Sequence, residues 1–320
     1  MLDVFLTVDV EVWCDDWACL DDSFPGAFQR YVYGPTGRGP YGLPRQIRVL
    51  NEHDLKAVFF VESLFAARFG VAPLAEIVGL LQAGGQEVQL HVHPEWAQEA
   101  LVPVVFPYPG RRSGMHQFTM AEQAALVAEA QRLMAAAGQS KIAAFRAGSF
   151  GFDTNTHEAL AAHGIRVDCS YNAVMGGSGS GLCPGKLATQ PFLAGPVYEY
   201  PMSVFQDGMG RTRHLQLTAC SSPEMESVLL QAAERGDESV VILWHNFELL
   251  DPSQRLPDPV VDKRFSRLCQ FLDRRRDMFN VRGFDGLAPV NVTEQPTLHH
   301  VGIAATARRM GEQLLRRRLA

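Results

Sequence analysis

A chain of 320 residues, 47% of them hydrophobic, is long enough to bury a substantial core as one large α/β domain or two smaller ones. Its net charge of −6, with acidic and basic residues mixed along most of its length, argues against a nucleic-acid groove or a polybasic membrane surface. No apolar run reaches the ~18–20 residues that span a bilayer, and the opening M-L-D-V-F-L-T-V-D-V-E lacks the basic start of a secretory leader, so no membrane insertion and a cytoplasmic location are expected.

The first predicted strand, Val4–Val12, alternates so that Thr7, Asp9 and Glu11 share one face and Leu6, Val8 and Val10 the other. A polar Gly/Pro-rich loop through Tyr33–Pro40 follows, then a helix near Leu43–His53, a short buried strand at Lys56–Val61, and helical stretches at Ser63–Phe69 and Pro73–Ala83, the last stopped by Gly84-Gly85. Glu87-Val88-Gln89-Leu90 then feeds a strand into His91-Val92-His93. Side chains two apart on a strand face the same way, and Pro94 cannot continue the ladder, so two imidazoles stand side by side at a strand end. Alone, the pair reads as half-buried strand histidines or as two legs of a divalent-metal site.

Between Trp96 and Phe118 an irregular, proline-rich insert follows the histidines directly and is a candidate substrate loop. Thr119 and Glu122 form a capping box for a helix running to about Ala137. Ile142–Phe145 and Ile165–Asp168 read as strands, with Asp153 capping a helix between them. Met175–Gly185 reads as a mobile Gly/Ser-rich loop. Further strands are expected at Val197–Pro201, Leu215–Thr218, Ser239–Trp244 and Phe279–Val281, and helices from Ser222-Pro223 to Gly236 and over Val260–Arg274. The tail carries Arg308, Arg309 and Arg316–Arg318, a pattern most often found on a solvated helix face. The six cysteines, Cys14, Cys19, Cys169, Cys183, Cys220 and Cys269, form no C-x-x-C pair and are expected as reduced thiols.

Short apolar strands alternating with helices predict a distorted (β/α) barrel of about seven parallel strands, closed or nearly closed. In such a fold the strand carboxyl ends share one rim. Asp9, Glu11, His91, His93, Arg146, Asp168 and His245 all fall there, and that convergence predicts an enzyme.

In this order, Thr7-Val8-Asp9-Val10-Glu11, Glu87–His93, Phe145–Phe150, Asp168–Asn172 and Ile242–Asn246 make the chain resemble the polysaccharide deacetylase family, metal-dependent sugar N-deacetylases similar to chitooligosaccharide deacetylase. The resemblance implies a catalytic barrel over residues 1–290, leaving 291–320 as a C-terminal helical extension. It implies one divalent metal ion, zinc first, on Glu11, His91 and His93. Asp9 would be the general base, Arg146 would hold it ionised, His245 would be the general acid, and Asp168 would orient His245 or shape the pocket. The chain departs from the family in three places. Val10 separates its acidic residues, its histidines are two apart instead of four, and Ala147-Gly148 replaces the proline expected after Arg146. The third ligand therefore stays open among Glu11, Asp9 and His116.

Trp96 and Trp244 are candidate substrate-binding aromatics, with core packing the alternative for each. Glu95 and Glu248 could reach sugar hydroxyls, and His157 and His299 have no evident partner. The implied activity is removal of an N-acyl, most simply N-acetyl, group from an amino sugar or a sugar precursor of a surface polysaccharide. The alternatives are hydrolysis of a small-molecule amide and a non-catalytic carbohydrate-binding protein on a deacetylase fold.

Overall fold

The computed structural model describes residues 1–175 and 187–319; beyond Met175, the loop expected at Met175–Gly185 lies outside the described residues. Its main elements are β1 (Leu2–Val10), α1 (Leu43–Glu52), β2 (Val58–Glu62), α2 (Val71–Ala83), β3 (Glu87–Val92), α3 (Met120–Ala136), β4 (Ala144–Ala147), α4 (Thr154–Ala162) and β5 (Val167–Asp168). They continue as β6 (Phe192–Ala194), β7 (Val197–Glu199), α5 (Ser222–Arg235), β8 (Ser239–His245), α6 (Pro259–Asp273), β9 (Phe279–Val281) and α7 (Ile303–Leu319).

The main sheet runs β8-β1-β2-β3-β4-β5-β7-β6. Its ladders are parallel except where β6 returns against β7, and β9 pairs with the amino end of β1. It curls into a distorted barrel that, among the described residues, no regular strand closes. Irregular chain fills the gap beside β8: Leu217 N donates to Leu243 O (2.9 Å), Leu243 N to Leu215 O (3.1 Å), and Val241 N to Ser203 Oγ (2.9 Å). The strand expected at Leu215–Thr218 is thus a single bridge, because a turn at Gln216–Cys220 bends it away after one pairing.

Strand parity divides the side chains into two cores. Phe5, Val58, Phe60, Ala144, Val167, Cys169, Val241 and Leu243 fill the barrel with Tyr200, Met202 and Phe284. Leu6, Val8, Phe59, Val61, Phe145, Ile242 and Trp244 face outward against the helices. Inward parity carries Thr7 and Asp9 up one side of the barrel and Leu243 and His245 up the next, with Asp9 paired to His245 in register.

Outward parity does the opposite for Asp168. It sits one residue from inward-facing Cys169 and pairs with His157 of α4 (3.0 Å), not with His245. Glu199 of β7, opposite Asp168 in the ladder, lies 3.4 Å from the same imidazole, and all three side chains are buried. Burial, which disfavours an imidazolium, is outweighed by the two carboxylates, and His157 is pushed up to about 10. Burial and the neighbouring Asp168 push Glu199 up to about 8 against its bonds from His157 and Tyr171 N–H. Both shifts make the folded chain hold protons the unfolded chain has released, so the cluster's contribution falls as pH rises through these two values. Denaturant midpoints are expected to drop between neutral pH and about 10, with a shallower slope in His157→Gln; equal slopes would remove this assignment.

Helix α7 is bound to the barrel: Arg309 reaches Glu224 (3.0 Å) and Asp207 (2.7 Å), Arg316 reaches Asp258 (2.6 Å), and Glu312 meets Arg264 (2.7 Å). Arg309 and Arg316, expected on a solvated face, are therefore paired to the barrel, while Arg308 pairs within the helix with Glu312. His299, which had no evident partner, sits 2.8 Å from Asp237. Among the described residues, Cys14, Cys19, Cys169, Cys220 and Cys269 are free thiols.

Candidate active site

Glu11 lies just past the end of β1, where Asn246 fixes the backbone: Glu11 N donates to Asn246 Oδ1 (3.0 Å) and Asn246 Nδ2 to Glu11 O (3.1 Å). Its Oε1 meets Nε2 of His91 at 3.2 Å and Nε2 of His93 at 2.9 Å. His91 Nδ1 is 2.8 Å from the Arg146 carbonyl, which can only accept, so the Nδ1 proton is fixed and Nε2 is left to face Glu11. A neutral His91 would then set a lone pair against a carboxylate oxygen. Only a positive charge between them, a second proton or a cation, makes that contact favourable.

The electrostatics agree. Burial raises the Glu11 carboxyl, but His93 beside it and hydrogen bonds from both imidazoles outweigh this and hold it well below the usual carboxylate range. Burial lowers His93, and Glu11 and Glu95 outweigh it in the other direction. Two imidazole nitrogens and a carboxylate oxygen, mutually within 4.8 Å and on one side of the cluster, suit a divalent ion of zinc's type.

The backbone around His93 is equally constrained. Glu62 accepts hydrogen bonds from His93 N and Leu64 N, and burial pushes its carboxyl up to about 8. Gly148 packs so tightly on His93 that a Cβ there would stand 2.5 Å from Nδ1, which accounts for glycine at this position.

On one flank Asp9 Oδ1 accepts from Arg146 Nη1 at 2.6 Å. Arg146 also donates from Nη2 to Thr7 Oγ1 (2.9 Å) and from Nε to Cys169 O (3.1 Å), and its guanidinium stacks 4.5 Å above the Phe60 ring. Both members of the pair are buried. On the other flank His245 holds Nε2 3.9 Å from Glu11 Oε1 and Nδ1 2.7 Å from Glu248 Oε1, which also accepts from Gln216 Nε2. Its side chain is 22% exposed, so this flank opens to solvent. Burial lowers His245, but the carboxylates of Glu248, Glu11 and Asp9 outweigh it and push it up to about 9.

The fold thus brings together Asp9, Glu11, His91, His93, Arg146 and His245. Asp168 is outside the barrel. Trp244 is also outward, donating to Gln46 Oε1 (3.0 Å) and packed on Phe265, since its neighbour His245 takes the inward parity. Trp96 has no exposed surface and lies beneath Trp13, Trp17, Phe65 and Phe69, so it lines no subsite. His116 is exposed on the insert and is not in the ligand cluster. The site contacts of four residues escaped sequence reasoning: those of Glu62, Gln216 and Trp13, and that of Glu248, which was read as a partner for sugar hydroxyls and not for His245. Of these only Glu248, three residues after His245, carried a local signal.

No family model matches the sequence, and no curated protein is similar to it. Among the solved structures that share its fold are two described as a "putative" and a "probable" polysaccharide deacetylase. One, from Mycobacterium smegmatis, is 18% identical, with a TM-score of 0.56 over 92% of this chain and 95% of its own. The other, from Pseudomonas aeruginosa PAO1, is 12% identical, with a TM-score of 0.53 over 89% of each chain. The curled parallel sheet that carries Glu11, His91 and His93 to one rim is the fold this chain shares with these two structures.

Proposed function

We propose that this protein is a metal-dependent hydrolase that removes an N-acyl group, most simply acetyl, from an amino sugar or a sugar precursor of a surface polysaccharide. The observation that carries this reading is the convergence of two imidazoles on one buried carboxylate oxygen, flanked by the Asp9–Arg146 pair and the His245–Glu248 pair. Glu11, His91 and His93 would hold the ion, zinc first. Bound there, a divalent ion supplies Lewis acidity toward an acyl oxygen and toward water.

The chain's own groups do the rest. Arg146 pairs with Oδ1 of Asp9 and fixes its carboxylate on the inward side of β1, where Asp9 can accept a proton from the attacking water. Glu248 anchors Nδ1 of His245 and leaves Nε2 facing the centre, placed to donate a proton to the departing amine. Glu248→Gln keeps the shape and removes the charge. It is expected to lower kcat on the order of tenfold, a fraction of the ~10²–10⁴ available from general acid–base catalysis, with KM little changed. An unchanged kcat would remove Glu248 from the mechanism.

A cytoplasmic location, a carbohydrate partner without nucleic acid, and a barrel over 1–290 with a helical extension over 291–320 belong to the same proposal. Among the described residues, no helix is long and apolar enough to cross a membrane. The test is acetate release by the purified protein from N-acetylglucosamine oligomers beside a panel of small amides. Release from the sugars is expected. Release only from small amides would move the reading to that class, and glycan binding by metal-free, inactive protein would replace it with a binding role.

A further inference from the structure

Glu11 uses its two carboxylate oxygens differently. Oε1 faces both imidazoles, while Oε2 accepts a 2.6 Å hydrogen bond from the indole Nε1 of Trp13, two residues along the chain. Indole N–H is a donor only, and its bond to a carboxylate is charge-assisted. The same indole stands edge-on to His93, with ring centroids 4.6 Å apart and planes at 87°. One side chain therefore contacts two of the three residues of the ligand cluster.

Trp13 is itself held. Trp96 stacks alongside it at 6.2 Å and Trp17 meets it edge-on at 6.0 Å, while Arg111 lies 3.7 Å over the Trp17 ring and pairs with Glu99. These contacts restrict the indole's swing away from Glu11. The hold matters because glutamate has one more rotatable bond than aspartate and could otherwise turn both oxygens toward an ion.

We infer that Trp13 is a positioning residue that fixes Glu11 as a one-oxygen ligand and so sets both the strength and the selectivity of metal binding at this site. The inference rests on the function proposed above. With Oε2 occupied, the centre offers two nitrogens and one oxygen, a set that suits a small four-coordinate ion. With Oε2 released, the carboxylate can bind through both oxygens, as larger oxygen-preferring ions favour.

Trp13→Phe keeps an aromatic edge for His93 and removes the N–H. Trp17→Phe, in the same aromatic cluster without a bond to Glu11, is the control for packing. Zinc and manganese affinities of the whole metal-stripped chain would be measured by competition with a chromophoric chelator, alongside thermal denaturation. Trp13→Phe is expected to bind zinc about tenfold more weakly, to lose part of its preference for zinc over manganese, and to unfold near the wild-type temperature, while Trp17→Phe keeps wild-type affinity. Wild-type zinc affinity in Trp13→Phe, or equal losses in both variants, overturns the inference and leaves the proposed function standing. A wild-type chain that binds neither ion overturns both.

Discussion

Replacing Arg146 with methionine is expected to destabilise the protein by about 3–5 kcal/mol, the cost of removing one member of a buried ion pair. Arg146 has no exposed surface and contacts Asp9, Thr7, the Cys169 carbonyl, the Met202 sulfur and the Phe60 ring. Methionine replaces the apolar stem and little else. Asp9 would be left buried without its counter-charge, and the Cys169 carbonyl would lose a donor. Strands β1, β4 and the chain after β5 are joined through this one guanidinium, so its loss loosens the rim where the histidines stand. Denaturant titration measures the effect; a loss under about 1 kcal/mol would show that the pair contributes little.

Asp9→Asn is expected to act on chemistry instead. Asparagine preserves the side chain's shape, and Arg146 retains Thr7 and the Cys169 carbonyl, so the protein should fold with a smaller loss than in the arginine variant. An amide cannot accept the water's proton, and the rate of acyl release is expected to fall ~10²–10⁴-fold. Zinc binding should be retained, because the imidazoles point at Glu11 and not at Asp9. The companion variant Glu11→Gln should show the reverse order, losing the metal first. Were Asp9→Asn to lose the ion while Glu11→Gln kept it, Asp9 would be the third ligand.

Much of this arrangement is legible in the sequence because two short-range rules reach it. Period-two alternation places Asp9 with Glu11 and His91 with His93, and the rule that parallel strands share a carboxyl-terminal rim brings Arg146 and His245 to them. Helix starts were equally plain: Thr119 and Glu122 form their capping box, and Asp153 caps α4. The same alternation, applied one residue further, separates Trp244 from His245 and Asp168 from the interior. Those two assignments failed because rim position was weighed without parity.

What remained hidden lies where period-two reasoning ends. Trp13 lies in irregular chain beyond β1 and Glu248 in the turn after β8, and only the folded chain brings the indole to Glu11 and the carboxylate to His245. The helix Leu20–Phe28 was disguised by Pro25-Gly26, a pair that reads as a break. His157 found its partners across the sheet, on Asp168 and Glu199, which no local pattern relates.

The central claim is that Glu11, His91 and His93 hold one divalent ion on which acyl hydrolysis depends. Its most direct test is acetate release from N-acetylglucosamine oligomers by metal-stripped protein as zinc is returned in sub-stoichiometric steps. Activity should rise from near zero and level off at one equivalent per chain. Equal release by stripped and loaded protein, or no release at any loading, would contradict the account.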